Sequence, residues 1–364
     1  MSAEPADGLV ARPRSGQGGW IESPVFDLAF FTLSPLAGLA LVLVSLDDSN
    51  TLLTLAAATL IGGPHYLATY SFYFFDDTAA YQRRRWVAYF VVPILIVLAV
   101  GAIAWFRIPI IILVVVYFWN AYHVARQSCG IQSIYRHRAG AFDPHLKVVT
   151  NAAIIATSLA MATAHLDWYP ALHAFLSKPS PYFPDVLSYS ALIAAVISLA
   201  RLGIAMIQRH RQGPAFSAAE LAFLVTSLLL FHPYLWVRDS NLATLGMLLG
   251  HFIQYLGIVW LLNSRKFAEG TGSLGQRALS RLWRDPWVLV PALITGGALF
   301  MVLQINLMAV TIALVLLHFY LDGLFWAFKQ PEVRRALAPY LVGGRAKAVE
   351  ARPGGSIADV EPAH

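Results

Sequence analysis

The chain has 364 residues, 58% hydrophobic and 13% charged, with a mean hydropathy of +0.60. Soluble domains carry about 25% charged residues, so this composition excludes an ordinary soluble domain and selects a polytopic membrane protein. The net charge of +6 needs no nucleic-acid partner, because basic loops facing an anionic leaflet account for it.

The first 24 residues are polar and mixed in charge. Residues 1–19 are rich in Gly, Pro, Ala and charge, a composition that predicts a flexible cytoplasmic segment. Trp20 to Phe26 is expected to lie along the membrane interface. The first apolar stretch is too long for a cleaved signal and reads as a permanent anchor. About ten spans follow, over 27–46, 51–75, 86–106, 108–129, 148–164, 186–207, 216–236, 242–262, 287–303 and 305–328. They form one all-α transmembrane domain, a helix bundle over residues 25–330, followed by a cytoplasmic tail from 331 to 364 that is flexible from about Gly343. The stretch 287–328 is too long for a single crossing, and Gln304 and Asn306 mark its turn. The outer loop 165–185 carries Pro170, Pro179, Pro181 and Pro184 and is expected to be irregular. In the cytoplasmic loop 263–286, Leu279, Leu282 and Trp283 share a helical face opposite Arg277, Arg281 and Arg284, which predicts a short interfacial helix. Cys129 is the single cysteine, so no intramolecular disulfide and no multi-cysteine metal cluster is available.

Loop charge tests the count. Placing the N-terminus in the cytoplasm assigns 21 Lys and Arg to cytoplasmic segments, among them Arg83, Arg84, Arg85, Arg136, Arg138 and Arg265. Only three, Arg107, Lys178 and Arg238, fall on the other side. That asymmetry follows the positive-inside rule and predicts cytoplasmic termini in a plasma (inner) membrane.

Four of the eleven histidines sit inside apolar spans: His65, His123, His251 and His318. The topology runs their four spans in the same direction and brings them within about 10 Å of one another in depth. Polar groups at such depth are costly and usually face a partner or a cavity. Neutral imidazole suits iron, copper or zinc, and ligands from separate helices can enclose one ion in a bundle core. Asp322 follows His318 by four residues and shares its face, as a hydrogen-bond partner for a ligand, as a ligand or as a proton acceptor. Arg126 and Gln127 follow His123 by three and four, and Gln254 and Tyr255 stand likewise after His251; all are candidates to surround the site. Arg201 lies at similar depth, and Pro64 is expected to kink the second span. His65, His123, His251 and His318 are thus the candidate metal ligands. Asp322, Arg126 and Tyr255 are the candidate catalytic groups, and Gln127 and Gln254 the candidate cofactor contacts.

The histidines form no HxxxH or HxxHH box, which argues against a membrane desaturase. Ile61-Gly62-Gly63-Pro64-His65 resembles the early Pro-His motif of the Brp/Blh family of membrane β-carotene dioxygenases. His318 with Asp322, followed by Gly323-Leu324-Phe325-Trp326, resembles the His-then-Asp pattern of that family's last helix. The likeness is confined to these stretches. Tyr66 stands where the family has Gly, Ala68 and Thr69 stand in the stretch where it has an Asp, and His123 to Gln127 has no counterpart. The resemblance implies a His-ligated non-haem iron that activates O2 against a lipid or isoprenoid substrate such as a carotenoid, with an electron donor where the chemistry needs one. Two other readings fit the same residues. One is a haem-binding electron carrier with axial histidines. The other is a proton-coupled transporter lined by Arg126, Arg201 and Asp322.

Overall fold

The computed structural model describes residues 19–46, 51–140, 143–212, 216–267 and 274–342, and among these every regular element is helical. The segments expected to be flexible, 1–18 and 343–364, lie outside the described residues. In chain order the helices are α1 (Pro24–Asp27), α2 (Ser34–Ser45), α3 (Thr51–Ala68), α4 (Asp76–Arg84), α5 (Val92–Trp105), α6 (Pro109–Arg138), α7 (Pro144–Thr163) and α8 (Pro170–Leu176). They continue with α9 (Phe183–Gln212), α10 (Ala218–Leu229), α11 (Ser240–Lys266), α12 (Leu274–Arg284), α13 (Pro286–Asn306), α14 (Met308–Phe325) and α15 (Pro331–Leu341). Among the described residues, eight unbroken helices are long and apolar enough to cross a membrane. The first expected span is a ninth segment, bent by 44° between Thr32 and Ser34. The second is α3, which continues as 3-10 turns from Thr69 to Phe74.

The bend has a definable cause. Pro35 has no N–H to give to the carbonyl four residues back, which is that of Phe31. Two side chains supply donors instead, Gln254 Nε2 of α11 at 3.1 Å and the neighbouring Ser34 Oγ at 3.2 Å from Phe31 O. One residue on, Leu36 N turns to Leu33 O, and Thr226 Oγ1 of α10 bonds Thr32 O at 2.8 Å. The backbone groups freed in an apolar medium are thus met by side chains, two of them from neighbouring helices.

Helix α11 is the central post. In its most apolar window 72% of residues are buried, against 11% for α5 and α13, whose side chains face outward. Close approach to it is made possible by small residues, as expected where packing alone drives helix association. A Cβ on Gly38 of α2 would meet the Gly246 carbonyl oxygen of α11 at 1.9 Å. Away from α11 the same device joins α3 to α13, where a Cβ on Gly63 would meet Phe300 Cβ at 2.8 Å and Gly297 Cα at 3.1 Å. Helices α3 and α6 pack against α11, α14 touches both α3 and α6, and a Tyr255–Asp322 hydrogen bond joins α14 to α11.

Several expectations are met and several corrected. The break between α13 and α14 falls at Leu307, within a residue of the expected turn. The short helix expected in the 263–286 loop is present as α12, and its Trp283 is buried against the core. The outer loop is less irregular than its prolines suggest, because Pro170 opens α8 in the first-turn position where a proline costs no hydrogen bond. Pro64 lies within α3, whose regular turns persist to Ala68. The Trp20–Phe26 stretch does not merely lie at an interface. Ile21 is fully buried, and Ile21 N and Glu22 N donate to Asp27 Oδ2 and Oδ1 at 2.6 and 3.1 Å. The basic segments gather at one end. Arg138, at the end of α6, donates to Trp20 O and Val342 O at 3.0 and 3.2 Å, and Arg265, near the end of α11, bonds Tyr340 O and Glu22. Arg84 meets Glu332 of α15 at 3.2 Å.

Candidate metal centre

Each of the four helices around the middle of the bundle contributes one histidine: α3 His65, α6 His123, α11 His251 and α14 His318. All four are buried, His65 and His318 completely. One ligand atom from each lies within 4.8 Å of all the others. The Nε2 atoms of His65 and His318 are 2.9 Å apart, and those of His318 and His123 are 3.2 Å apart. Ligand nitrogens about 2.1 Å from a common ion stand roughly 3 to 4.2 Å from one another, so the cluster closes on one ion with small shifts. The convergence that depth alone implied is therefore present in three dimensions.

Helical phase adds a second storey. Counting four residues on from each histidine gives Thr69, Gln127, Tyr255 and Asp322, one per helix and on the same face. Three of them form a knot: Tyr255 donates to Asp322 Oδ1 at 2.7 Å, Thr69 Oγ1 donates to the same oxygen at 2.9 Å, and Thr69 Oγ1 lies 2.7 Å from His318 Nδ1. Thr69 Oγ1 and the Tyr255 hydroxyl are 2.6 Å apart. Gln127, the fourth, donates from Nε2 to the backbone oxygen of His251 at 3.3 Å and so holds the α11 backbone beside its histidine. Asp322 turns its other oxygen, Oδ2, towards the imidazoles, 3.8 Å from His318 Nε2 and 3.9 Å from His123 Nε2.

The walls are apolar and tight. The His65 ring packs 4.5 Å from Phe252, and that of His123 lies 4.6 Å from Phe319. A Cβ on Gly62 would meet the Phe252 ring at 2.8 Å, which is why Gly precedes the Pro64-His65 pair: α3 could not otherwise bring His65 so close to α11.

The hydrogen bonding fits a metal better than its absence. Neutral histidines can bond to one another, and the short Nε2 contacts of His65, His318 and His123 permit that. His251 is different: both of its ring nitrogens are buried without a hydrogen-bond partner, as is Nδ1 of His65. A buried polar atom left unpaired costs about 1–3 kcal/mol. An ion held at the convergence point would engage the His251 lone pair, with its other nitrogen bearing the proton.

The remaining sequence candidates lie elsewhere. Arg126 is on the exposed side of α6, and Arg201 is exposed on α9, so neither stands beside Asp322. Gln254 is fully buried but serves the Phe31 carbonyl. Cys129 is buried. His165 stacks on Trp168 at 3.9 Å, away from the cluster. Thr69 is the residue that sequence reasoning passed over; its signal was the four-residue spacing from His65. Comparison with family models, curated proteins and solved structures finds no match to this chain.

Proposed function

We propose that this protein is an integral-membrane, metal-dependent oxidoreductase, with non-haem iron held by His65, His123, His251 and His318 and a lipophilic substrate drawn from the bilayer. The observation that carries the reading is the convergence of the four buried imidazoles. Imidazole sets of this kind suit iron, copper, nickel or zinc. A site offering four nitrogens with a carboxylate oxygen close by exceeds the four donors of a closed structural zinc site and favours a metal that works rather than braces. Such an iron would supply activation of O2; insertion of a single oxygen atom would also require an electron donor, whereas insertion of both would not.

A haem fares worse. A porphyrin must lie between its axial ligands and be ringed by its own four nitrogens, and four histidine nitrogens within 4.8 Å of each other leave no slot for it. The transporter reading loses two of its three residues with the outward placement of Arg126 and Arg201. A lipophilic substrate is supported by the apolar walls and by how thin the cover is. Tyr122, next to His123, and Gly323, next to Asp322, are exposed on the outer surface of their helices. The likeness of the Pro64-His65 and His318–Asp322 stretches to the Brp/Blh dioxygenases adds a carotenoid or other isoprenoid as the first substrate to try. The gathered basic segments support a cytoplasmic end carrying both termini.

The test is metal analysis with an absorption spectrum on detergent-purified protein. Iron near one per chain without a Soret band is expected. His65→Ala and His318→Ala should each remove most of it, and His165→Ala should remove none. Wild-type protein that holds no transition metal under metal-retaining conditions would overturn the proposal.

A further inference from the structure

We infer that Thr69 is a positioning residue for the metal centre, fixing the ring of His318 and turning Asp322 so that its Oδ2 becomes a fifth ligand. The inference rests on the metal reading above. It starts from a count of hydrogens. Thr69 has one hydroxyl proton and three neighbours: His318 Nδ1 at 2.7 Å, Asp322 Oδ1 at 2.9 Å and the Tyr255 hydroxyl at 2.6 Å. One assignment serves an ionised Asp322. Thr69 and Tyr255 both donate to Oδ1, and His318 Nδ1–H donates to the Thr69 oxygen. His318 is then held as the tautomer with its proton on Nδ1. Its Nε2, which faces His65 and His123, is left with a lone pair for an ion.

The same two hydroxyls decide what the carboxylate does. With Oδ1 taken by Thr69 and Tyr255, the carboxylate plane is fixed and Oδ2 is the oxygen left to face the cluster. Its distances of 3.8 and 3.9 Å to the Nε2 atoms of His318 and His123 are too long for hydrogen bonds. They match the roughly 3 to 4.2 Å that separate two atoms bound to one ion. The donor set becomes four nitrogens and one oxygen. The Asp322 carboxylate cancels part of the charge an ion would bring into an apolar layer, and Thr69 links it to His318 as the outer partner that metal-bound histidines usually have.

Cobalt(II) is the probe, because its visible bands are intense in a four-coordinate site and weaker in a five-coordinate one. Wild-type protein should bind one cobalt(II) with weak bands. Thr69→Val keeps the side-chain shape without the hydroxyl and should weaken cobalt binding about 10- to 100-fold in competition with a chromophoric chelator, while Thr69→Ser should restore it to within a few-fold. Asp322→Leu should turn the weak bands into intense four-coordinate ones. Asp322→Asn, the milder change, should weaken binding at least about tenfold. Thermal melts of each metal-free variant separate lost affinity from lost fold. If Thr69→Val or Asp322→Asn folds and keeps both wild-type affinity and spectrum while His318→Ala loses cobalt, the positioning role is refuted and the four-histidine site stands. If wild-type protein binds no cobalt at all, the metal reading itself fails.

Discussion

Taking a guanidinium and a carboxylate out of water costs several kcal/mol for each ion. Arg136 of α6 and Glu220 of α10 meet that cost with a 2.9 Å contact between side chains only 2% and 1% exposed, and Arg136 also donates to Thr150 of α7 at 3.1 Å. Three helices are thus tied at the basic end of the bundle. Removing one partner strands the other charge, so Arg136→Met is expected to destabilise by about 3–5 kcal/mol, and Arg136→Met combined with Glu220→Leu by much less. Thermal melts of the two variants in one detergent check this; equal losses would show that packing, not the pair, is at stake. From the sequence Arg136 reads as one more loop cation, because its acidic partner lies 84 residues away and charge counting sees only loop position. Histidines are legible for the opposite reason, since a polar ring in apolar text has no ordinary explanation. A threonine in such text is ordinary, and what distinguishes Thr69 is partners 186 and 253 residues away that spacing alone does not reveal. Arg126 shows the limit of helical phase. Three and four residues after His123 lie on either side of its face, and only the neighbours decide that Gln127 turns in and Arg126 out.

Among elements, the bent first segment is the one whose shape depends most on others. Pro35 frees the Phe31 carbonyl, and Gln254 answers it from α11. Gln254→Leu should therefore leave that carbonyl with only the Ser34 hydroxyl as donor and cost about 0.5–1.5 kcal/mol, the worth of one hydrogen bond. Metal content should stay at the wild-type level, since Gln254 points to the first segment and not to the histidines. A melt together with metal analysis reads both. A parallel loss of metal would return Gln254 to the site. The proline was visible in the sequence, but which helix supplies the replacement donor was not, because chain order does not tell which spans are neighbours. Hydropathy found most long helices to within a few residues. It also treated α8 as loop, because proline counts as a breaker until it proves to be the first residue of a turn.

For the whole molecule, the asymmetry of 21 basic residues against three and the physical gathering of the basic ends make one orientation the expected one. Cys129 is the single cysteine and is buried, so one new exposed thiol reports on one site. In intact cells an impermeant maleimide should label Lys178→Cys and spare Lys329→Cys. The reverse pattern would invert the topology. The central post also sets an order of events. His251 stands on α11, yet its partners come from helices on both sides of it in the chain, and His318 and Asp322 belong to α14, the last of the described spans. While the ribosome is still feeding the bilayer, the growing chain offers three imidazoles and no carboxylate at that layer. The proposed donor set would accordingly be complete only after the last of these spans has been inserted, which would make metal loading a late step of maturation in its own right.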